Sequence, residues 1–179
     1  MFRRFDKKAD FQTTSSMKSS AQRALKKTLA SRFDLENHFL VAPKTEFVAI
    51  KAINRNTFFA VDNQVCLLQT GHGHYVPLLR LVHEHPNILP RIFVDDGAIG
   101  RVINGANVMC PGILPDEETC AVKKGDVVSV VGVGKEHAIS VGVMEMDRCD
   151  IKKTETGIAI TTVHNIGDAL WKADLSVQP

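Results

Sequence analysis

The stretch VDDGAIGRVINGANVMCPGI, residues 94–113, decides the fold of the C-terminal half of the chain. Either aspartate near its start can cap a helix over residues 97–104, because a carboxylate accepts hydrogen bonds from the free N–H groups of a first helical turn. Gly105 is placed to end that helix in the left-handed conformation, which glycine adopts without steric cost. Residues 106–109 then return to extended form. The stretch therefore predicts a short strand, a helix and a returning strand.

The rest of the C-terminal half carries the pattern of several short strands. Apolar runs at residues 127–133, 139–144 and 157–163 are bounded by glycine-containing turns at 124–126 and 134–136. Short strands with turns at this spacing are typical of a small barrel or sandwich.

The N-terminal half carries both helical and β-like patterns. We expect residues 1–14 to form a loose arm, Ser15 or Ser16 to cap an amphipathic helix that reaches Phe33, and Asp34 to cap a second short helix. A further helix is expected to begin at Pro77. Between the helices, β-rich runs are predicted at 46–53, 57–61 and 64–69.

These patterns together predict an α+β fold class with two domains. We expect an N-terminal α+β domain at residues 1–89, a small β-barrel-like domain at 90–172 and a C-terminal tail at 173–179.

The charge of the chain is unevenly distributed. Residues 1–33 carry nine Lys or Arg against two Asp, whereas the whole chain has a net charge of +2. The basic residues of the predicted N-terminal helix are expected to stay solvated; they are Lys18, Arg23, Lys26 and Lys27. This asymmetry favours an anionic partner, although a helix whose exposed face is basic without any partner explains it equally.

No motif in the sequence pairs a nucleophile with a base. There is no glycine-rich phosphate loop, no G-x-S-x-G and no H-E-x-x-H. No apolar run approaches the roughly 18 residues of a membrane span. The N-terminus lacks the apolar core of a secretory signal, so we expect a protein of the cytosol or nucleus with no membrane contact.

The four cysteines, Cys66, Cys110, Cys120 and Cys149, are widely spaced and form no C-x-x-C pair. Structural zinc sites usually draw their ligands from tight knuckles, so this spacing argues against zinc. In a reducing compartment, such cysteines are expected to be free thiols in or near the core.

Four histidines, His72, His74, His83 and His85, lie in one loop–helix segment. An H-x-H pair can bind one metal ion, but residues two apart on a helix diverge by about 200°. We therefore expect a polar loop and a capped helix, with no metal and no cofactor. His137, on a predicted turn, is expected to donate to the backbone or to a phosphate.

Several stretches of the C-terminal half resemble the PUA domain, named for pseudouridine synthases and archaeosine transglycosylases. They are residues 94–113, KKGD at 123–126, GKEHAISVGVM at 134–144 and GDALW at 167–171. Over nearly its whole length, the chain resembles the malignant T-cell-amplified sequence family of translation factors. It begins MFRRFD, contains YVPLLRLVHEHP at 75–86 and has ILP before the first PUA strand.

The resemblance implies a cytoplasmic, non-enzymatic protein that forms a heterodimer with density-regulated protein on the small ribosomal subunit. It implies a role in re-initiation after short upstream reading frames and in removing deacylated tRNA during recycling. The PUA domain would lie near the tRNA acceptor end, with ribosomal RNA as a second partner.

The residues expected to meet RNA lie on the helix, the strand and a turn of the PUA half, with two more on the basic N-terminal helix. They are Gly97, Ala98, Arg101, Gly105, Ala106, Lys135, His137, Lys26 and Lys27. Free N–H groups at Gly97 and Ala98 can meet a phosphate, and Arg101 and Lys135 can neutralise one. Residues 91–172 carry nine basic against twelve acidic side chains, so the grip on RNA is expected to come more from the N-terminal helix.

The partner surface is predicted on the 57–69 hairpin, where exposed hydrophobic residues are expected at Phe58, Phe59, Val65 and Leu67, although some of them must be core. Two other functions stay open. The chain could be a ribosome-biogenesis protein that binds pre-ribosomal RNA, or an RNA-modifying enzyme, for which the first ninety residues are short and lack a catalytic constellation.

Overall fold

The structure is a computed structural model, and it describes residues 2–36, 38–115, 118–151, 153–154 and 156–177, apart from the side chains of 118 and 119. The chain divides into two compact units, each with its own five-stranded sheet. The first is Phe5–Leu78 with Ala173–Pro179, and the second is Met1–Arg4 with Leu79–Lys172. Within the described residues, no helix is long and apolar enough to cross a membrane.

The first unit is an antiparallel meander with one long helix. Its elements are α1 (Lys7–Asp10), β1 (Phe11–Ser16), α2 (Ser19–Arg32), β2 (Val48–Ala52), β3 (Thr57–Val61), β4 (Gln64–Gln69) and β5 (Tyr75–Pro77). The strands are neighbours in chain order, from β1 to β5. Leu25 and Leu29, four residues apart on one face of α2, are buried with Phe33, whereas Ala21 and Ala24 are exposed.

The expected loose arm is wrong for residues 7–14, which form α1 and most of β1. β1 pairs with β2 along the main chain, from Thr13 opposite Lys51 to Ser16 opposite Val48. Its side chains from residue 12 to residue 16 are polar and exposed, so the hydrophobic pattern contains no trace of the pairing.

Three helix starts differ from expectation. Ser15 and Ser16 belong to β1, and α2 begins after Lys18, which makes no side-chain cap bond. The short helix expected after Asp34 is a single 3-10 turn, Phe39–Val41, capped by His38, with Asn37 outside the described residues. Pro77 ends β5 and leads into the second unit's first helix two residues later.

The β3–β4 hairpin forms the core of the first unit. Asp62 and Asn63 connect the strands with φ angles of 48° and 63°, as the favoured two-residue hairpin turn requires. The expectation that this hairpin exposes its hydrophobic side chains is wrong, because the predicted partner residues are all buried: Phe58, Phe59, Val65 and Leu67. Phe58 packs against Phe5 and Phe11, and Phe59 packs against Phe47 and Tyr75, so these side chains belong to the interior of the first unit and are not a free surface. Along the same hairpin runs the segment after residue 172, where Val177 N–H donates to Asn63.

The second unit is a mixed sheet with helices packed on it. Its elements are α3 (Leu79–Glu84), β6 (Arg91–Val94), α4 (Asp96–Ile103), β7 (Val108–Met109), β8 (Val127–Gly132), β9 (Ala138–Met144), α5 (Arg148–Ile151), β10 (Ile158–Asn165) and α6 (Ala169–Lys172). The strand order is β6-β8-β9-β10-β7, and only the β6–β8 pair is parallel. The sheet curls into a half-barrel. Helices and largely antiparallel sheets in both units confirm the predicted α+β fold class.

Strand β9 is buried along its whole length. Both α3 and α4 pack against it, so the small residues Ser140 and Gly142 are as buried as their apolar neighbours. Gly142 lies against β10: a Cβ atom there would be 2.7 Å from the carbonyl oxygen of Thr161.

The disulfide Cys120–Cys149 corrects the expectation of four free thiols. The two Cα atoms are 5.2 Å apart, and the bond joins a 3-10 turn (Glu118–Ala121) to α5. Cys66 and Cys110 are buried thiols, as expected. Asp147, beside α5, accepts a hydrogen bond from Lys124 N–H and pairs with Lys123, and these interactions lower the pKa of its carboxyl.

Helix α4 approaches the segment after β10 more closely than a side chain permits. A Cβ atom on Gly167 would collide with the main-chain oxygen of Ile103, the last residue of α4. Near the other end of α4, a Cβ atom on Gly132 would lie 2.5 Å from the flexible tip of Ile99. The backbone at Gly167 therefore fixes how α4 docks, because a carbonyl group in a helix cannot move aside as a side-chain tip can.

We predict that Gly167→Ala lowers the free energy of unfolding by about 1–3 kcal/mol, because the added methyl group overpacks against backbone. Gly100 lies in α4 itself and has open space around its Cβ position. Gly100→Ala should therefore raise the free energy of unfolding by about 0.5–1 kcal/mol. Urea denaturation measures both. Equal stabilities for the two variants would contradict the close approach.

Candidate RNA-binding groove

Helix α4 is capped at both ends by its own flanking residues. Asp95 Oδ1 accepts from Ala98 N–H at 2.8 Å, which confirms the predicted cap. At the other end, Gly105 has a φ angle of 91°, and its N–H donates to Val102 at 2.9 Å. Ala106 N–H donates to Arg101, also at 2.9 Å, which completes a Schellman motif. Both ends of α4 are thus fixed before any ligand binds.

An open groove with a volume of about 410 Å³ runs beside α4. Two chain segments complete its walls, one from β7 to the turn after it and one just before β10. The lining residues are Asp95, Gly97, Ala98, Arg101, Val102, Asn107, Val108, Met109, Pro111, Gly112, Thr156 and Gly157. Most of these side chains are apolar or absent, so the described part of the groove offers a mostly apolar surface.

The rim of the groove is apolar on one side and basic on another. Met109 is 45% exposed, and its cross-strand neighbour Ile158 is 41% exposed. Arg101 lines the groove and is exposed. An apolar patch beside a guanidinium group suits an unstacked nucleobase with its phosphate.

The helix N-terminus does not offer the anion site that the sequence suggests. Ala98 N–H already donates to the Asp95 carboxylate, and Asp96 adds a second acidic residue in the first turn of α4. Negative charge at this end stabilises the helix by its interaction with the helix dipole, and it repels a second anion. The expectation of a free N–H at Ala98 is therefore wrong. Among the described residues that line the groove, Arg101 supplies the positive charge for a phosphate.

Gly105 and Ala106 lie at the far end of α4 and do not line the groove. Gly105 is buried and serves the helix cap. The Ala106 carbonyl accepts from Thr162 Oγ1 at 2.9 Å, and Asn107 Oδ1 accepts from Thr162 N–H at 3.0 Å. These bonds hold β7 against β10 and so fix the groove wall.

The remaining predicted RNA residues lie elsewhere. Lys135 and His137 are exposed on the β8–β9 turn, and the His137 ring stacks on His83. On α2 in the first unit, Lys27 is exposed, but Lys26 does not stay solvated as expected. Its ammonium donates to the carbonyl of Ala42 at 2.7 Å and contacts that of Pro43, so it ties α2 to the following loop.

The predicted RNA-binding residues include only three of the twelve described residues that line the groove, Gly97, Ala98 and Arg101. Among those omitted are Asn107, Met109, Thr156 and Gly157. One signal was available, since alternation along the predicted strand places Met109 on the opposite face from buried Val108. Thr156 and Gly157 gave none, because their place beside β7 follows only from the pairing of β10 with β7.

Among the residues that the structure describes, none that lines the groove is a nucleophile paired with a base. Cys110, next to it in the chain, is buried, and burial raises the pKa of its thiol, which keeps it protonated and unreactive. Among the described residues, no group of three or more His, Cys, Asp or Glu is arranged to hold a metal ion.

Comparison with known proteins matches both halves of the chain. Residues 89–169 match the family described as "elF2D, PUA domain", and residues 5–86 match the "Pre-PUA-like domain". Malignant T-cell-amplified sequence 1 of Danio rerio is 35% identical over 175 residues, covering 96% of this chain and 97% of the relative. The chain belongs to the malignant T-cell-amplified sequence family.

Further relatives agree with this membership of the malignant T-cell-amplified sequence family. Translation machinery-associated protein 20 of Schizosaccharomyces pombe is 35% identical over 184 residues, covering 98% of this chain and 99% of the relative. Among solved structures, a hypothetical protein of Pyrococcus horikoshii has a TM-score of 0.74 at 20% identity, covering 89% of this chain and 98% of that one. A PUA domain from Aeropyrum pernix has a TM-score of 0.70 at 24% identity, covering 89% of each chain. These two structures support the fold.

We predict that Met109→Glu weakens binding of an RNA hairpin with a single-stranded 3′ end by about 10-fold, because a carboxylate at the groove rim repels phosphate. Arg101→Ala should weaken it about 5-fold through the loss of one phosphate contact. Fluorescence anisotropy at low salt measures both.

The matched control for this prediction is Ile53→Glu, which makes the same change at a 40% exposed apolar residue of the first unit. An equal loss of affinity in Ile53→Glu and Met109→Glu would show a general charge effect and would argue against the groove.

Proposed function

We propose that this protein is a cytoplasmic, non-enzymatic translation factor that acts with density-regulated protein on the small ribosomal subunit. It promotes re-initiation and the release of deacylated tRNA during recycling. The proposal is supported by the full-length family match and by the name of the Schizosaccharomyces relative, which associates that relative with the translation machinery.

The observation that carries the proposal is the groove beside α4. Double-stranded RNA is recognised mostly by its shape and backbone, whereas the acceptor end of a tRNA is a single strand whose bases can be splayed out. A mostly apolar groove of about 410 Å³ with Arg101 on its lining suits such an end. The capped helix and anchored β7 hold the groove in shape, so little ordering cost arises on binding.

The buried residues of the second unit support a binding role without catalysis. His164 and Asp168 form a close pair at 2.8 Å, an arrangement that a general base and its orienting carboxylate also use. Both side chains are only 1% exposed, and Asp168 also accepts from the N–H groups of Asn165 and Trp171. This pair fixes the end of β10 and the start of α6, out of reach of a substrate.

The proposed function predicts that two partners copurify with the protein. In an affinity purification of the full chain from its own cell extract, we expect mature small ribosomal subunits and a zinc-binding protein of the density-regulated type. Capture of nucleolar large-subunit precursors in their place would favour the alternative function, a ribosome-biogenesis protein that binds pre-ribosomal RNA.

The basic helix α2 is proposed as the electrostatic contact with ribosomal RNA. Lys27 tests this better than Lys26, because Lys26 has a structural role. We predict that Lys27→Glu weakens small-subunit binding and reduces the slope of log affinity against log salt concentration by about 1.

The control for Lys27→Glu is Lys44→Glu, at an exposed lysine outside α2 in the same unit. Both variants change the net charge equally. An unchanged slope in Lys27→Glu, or an equal change in both variants, would contradict a contact through α2.

A further inference from the structure

Four planar side chains form a row on the second unit, outside the groove. The Arg80 guanidinium carbon lies 5.7 Å from the centre of the Trp171 ring, and the Trp171 and His83 rings are 5.1 Å apart. The His83 and His137 rings, also 5.1 Å apart, are stacked with 24° between their planes. We call this row, from Arg80 to His137, the ring row.

Three separate elements build the ring row, and hydrogen bonds fix its inner members. Helix α3 supplies Arg80 and His83, three residues apart on one face. His83 Nε2 donates to the carbonyl of Ala138 on β9 at 2.7 Å, since that carbonyl can only accept. Arg80 donates to the carbonyl of Trp171 at 2.8 Å.

Trp171 is held from its other side by the buried His164–Asp168 pair. Asp168 Oδ1 accepts from Trp171 N–H at 2.8 Å, while Asp168 Oδ2 accepts the His164 contact. Because both members of that pair are buried, the position of α6 is fixed by groups that solvent does not reach. The row is therefore preorganised.

The ends of the row are exposed, although its inner members are half-buried. His137 is exposed, and its imidazole makes no hydrogen bond to any residue that the structure describes. Packing of α3 requires His83, which bonds to β9, but it does not require a second imidazole stacked on top. His137 thus extends a fixed aromatic stack outwards into solvent.

We propose that the ring row is a second RNA contact, which stacks an unpaired base of a single strand on His137. Aromatic and guanidinium planes stack bases with little regard to sequence, because every base has a π-face. The exposed Lys135, two residues before His137, supplies a cation, whereas the Arg91 guanidinium donates to the carbonyl of Glu136. The exposed Glu84 and Glu136 limit the attraction of phosphate. Stacking then contributes more than charge to this contact.

The ring row is independent of the groove and of the proposed function. The two sites share no residue. Arg80 and His83 precede the PUA match at residues 89–169 and Trp171 follows it, so most of the row lies outside the matched PUA domain.

Trp171 is the only tryptophan of the chain, so its fluorescence reports on the ring row, with the His83 ring between Trp171 and His137. We predict that a short oligoadenylate, titrated into the full chain at low salt, quenches this fluorescence to saturation. His137→Ala should weaken the binding seen by quenching about 5-fold or more, because it removes the stacking surface. His137→Phe should retain most of it, since phenylalanine also stacks.

Two controls separate the possible results of this titration. His72→Ala removes an exposed histidine of the first unit and should leave the quenching curve unchanged. Circular dichroism verifies that each variant is folded. Met109→Glu, which targets the groove, should also leave the quenching curve in place even where it weakens binding of a hairpin 3′ end.

Three outcomes would overturn the ring row as an RNA contact. They are the absence of quenching at any RNA concentration, a quenching curve that His137→Ala does not shift, and loss of quenching in Met109→Glu. The last would assign the signal to RNA in the groove. Loss of hairpin binding in Met109→Glu without any change in its quenching curve would support two independent sites.

Discussion

The close approach of α4 to Gly167 is the constraint on which the RNA-binding unit depends. Because the carbonyl of Ile103 occupies the space that a Cβ atom at Gly167 would need, α4 can dock only against a bare backbone at that point. The position of α4 sets one wall of the groove, and the Asp95 cap and the Schellman motif at Gly105 keep that wall at a fixed length. The opposite wall follows from the pairing of β7 with β10. A groove built on such contacts keeps its shape without a ligand.

Local features of the fold could be predicted from the sequence because they depend on neighbouring residues. The cap at Asp95, the left-handed Gly105 and the Asp62–Asn63 hairpin turn all express the preferences of single residues for one backbone conformation. Strand β1 could not be predicted, because main-chain hydrogen bonds to β2 hold it and its side chains face solvent. The Cys120–Cys149 disulfide joins residues 29 apart in the chain, and only the tertiary fold brings them together.

The residues of the candidate site also fall into those that local sequence predicts and those that only the tertiary fold brings together. Gly97, Ala98 and Arg101 could be identified because they belong to the helix that the opening stretch predicts. Thr156 and Gly157 reach the groove through a strand pairing across about fifty residues, which no local pattern encodes. The structural role of Lys26 could not be predicted for a similar reason, since the Ala42 carbonyl that its ammonium binds lies sixteen residues away in the chain. The sequence shows that a helix residue is charged, but it does not show whether that charge already binds another group of the protein.

We propose that recognition and grip on RNA are separate: a mostly apolar groove lined by Arg101 recognises a strand end, and basic residues elsewhere contribute affinity. The most direct test is a titration of isotope-labelled full chain with an RNA hairpin that has a single-stranded 3′ end, followed by backbone amide chemical shifts. The account predicts that the largest shifts occur at Arg101, Met109 and Gly157. Largest shifts confined to residues of the first unit, with these three amides unmoved, would contradict it.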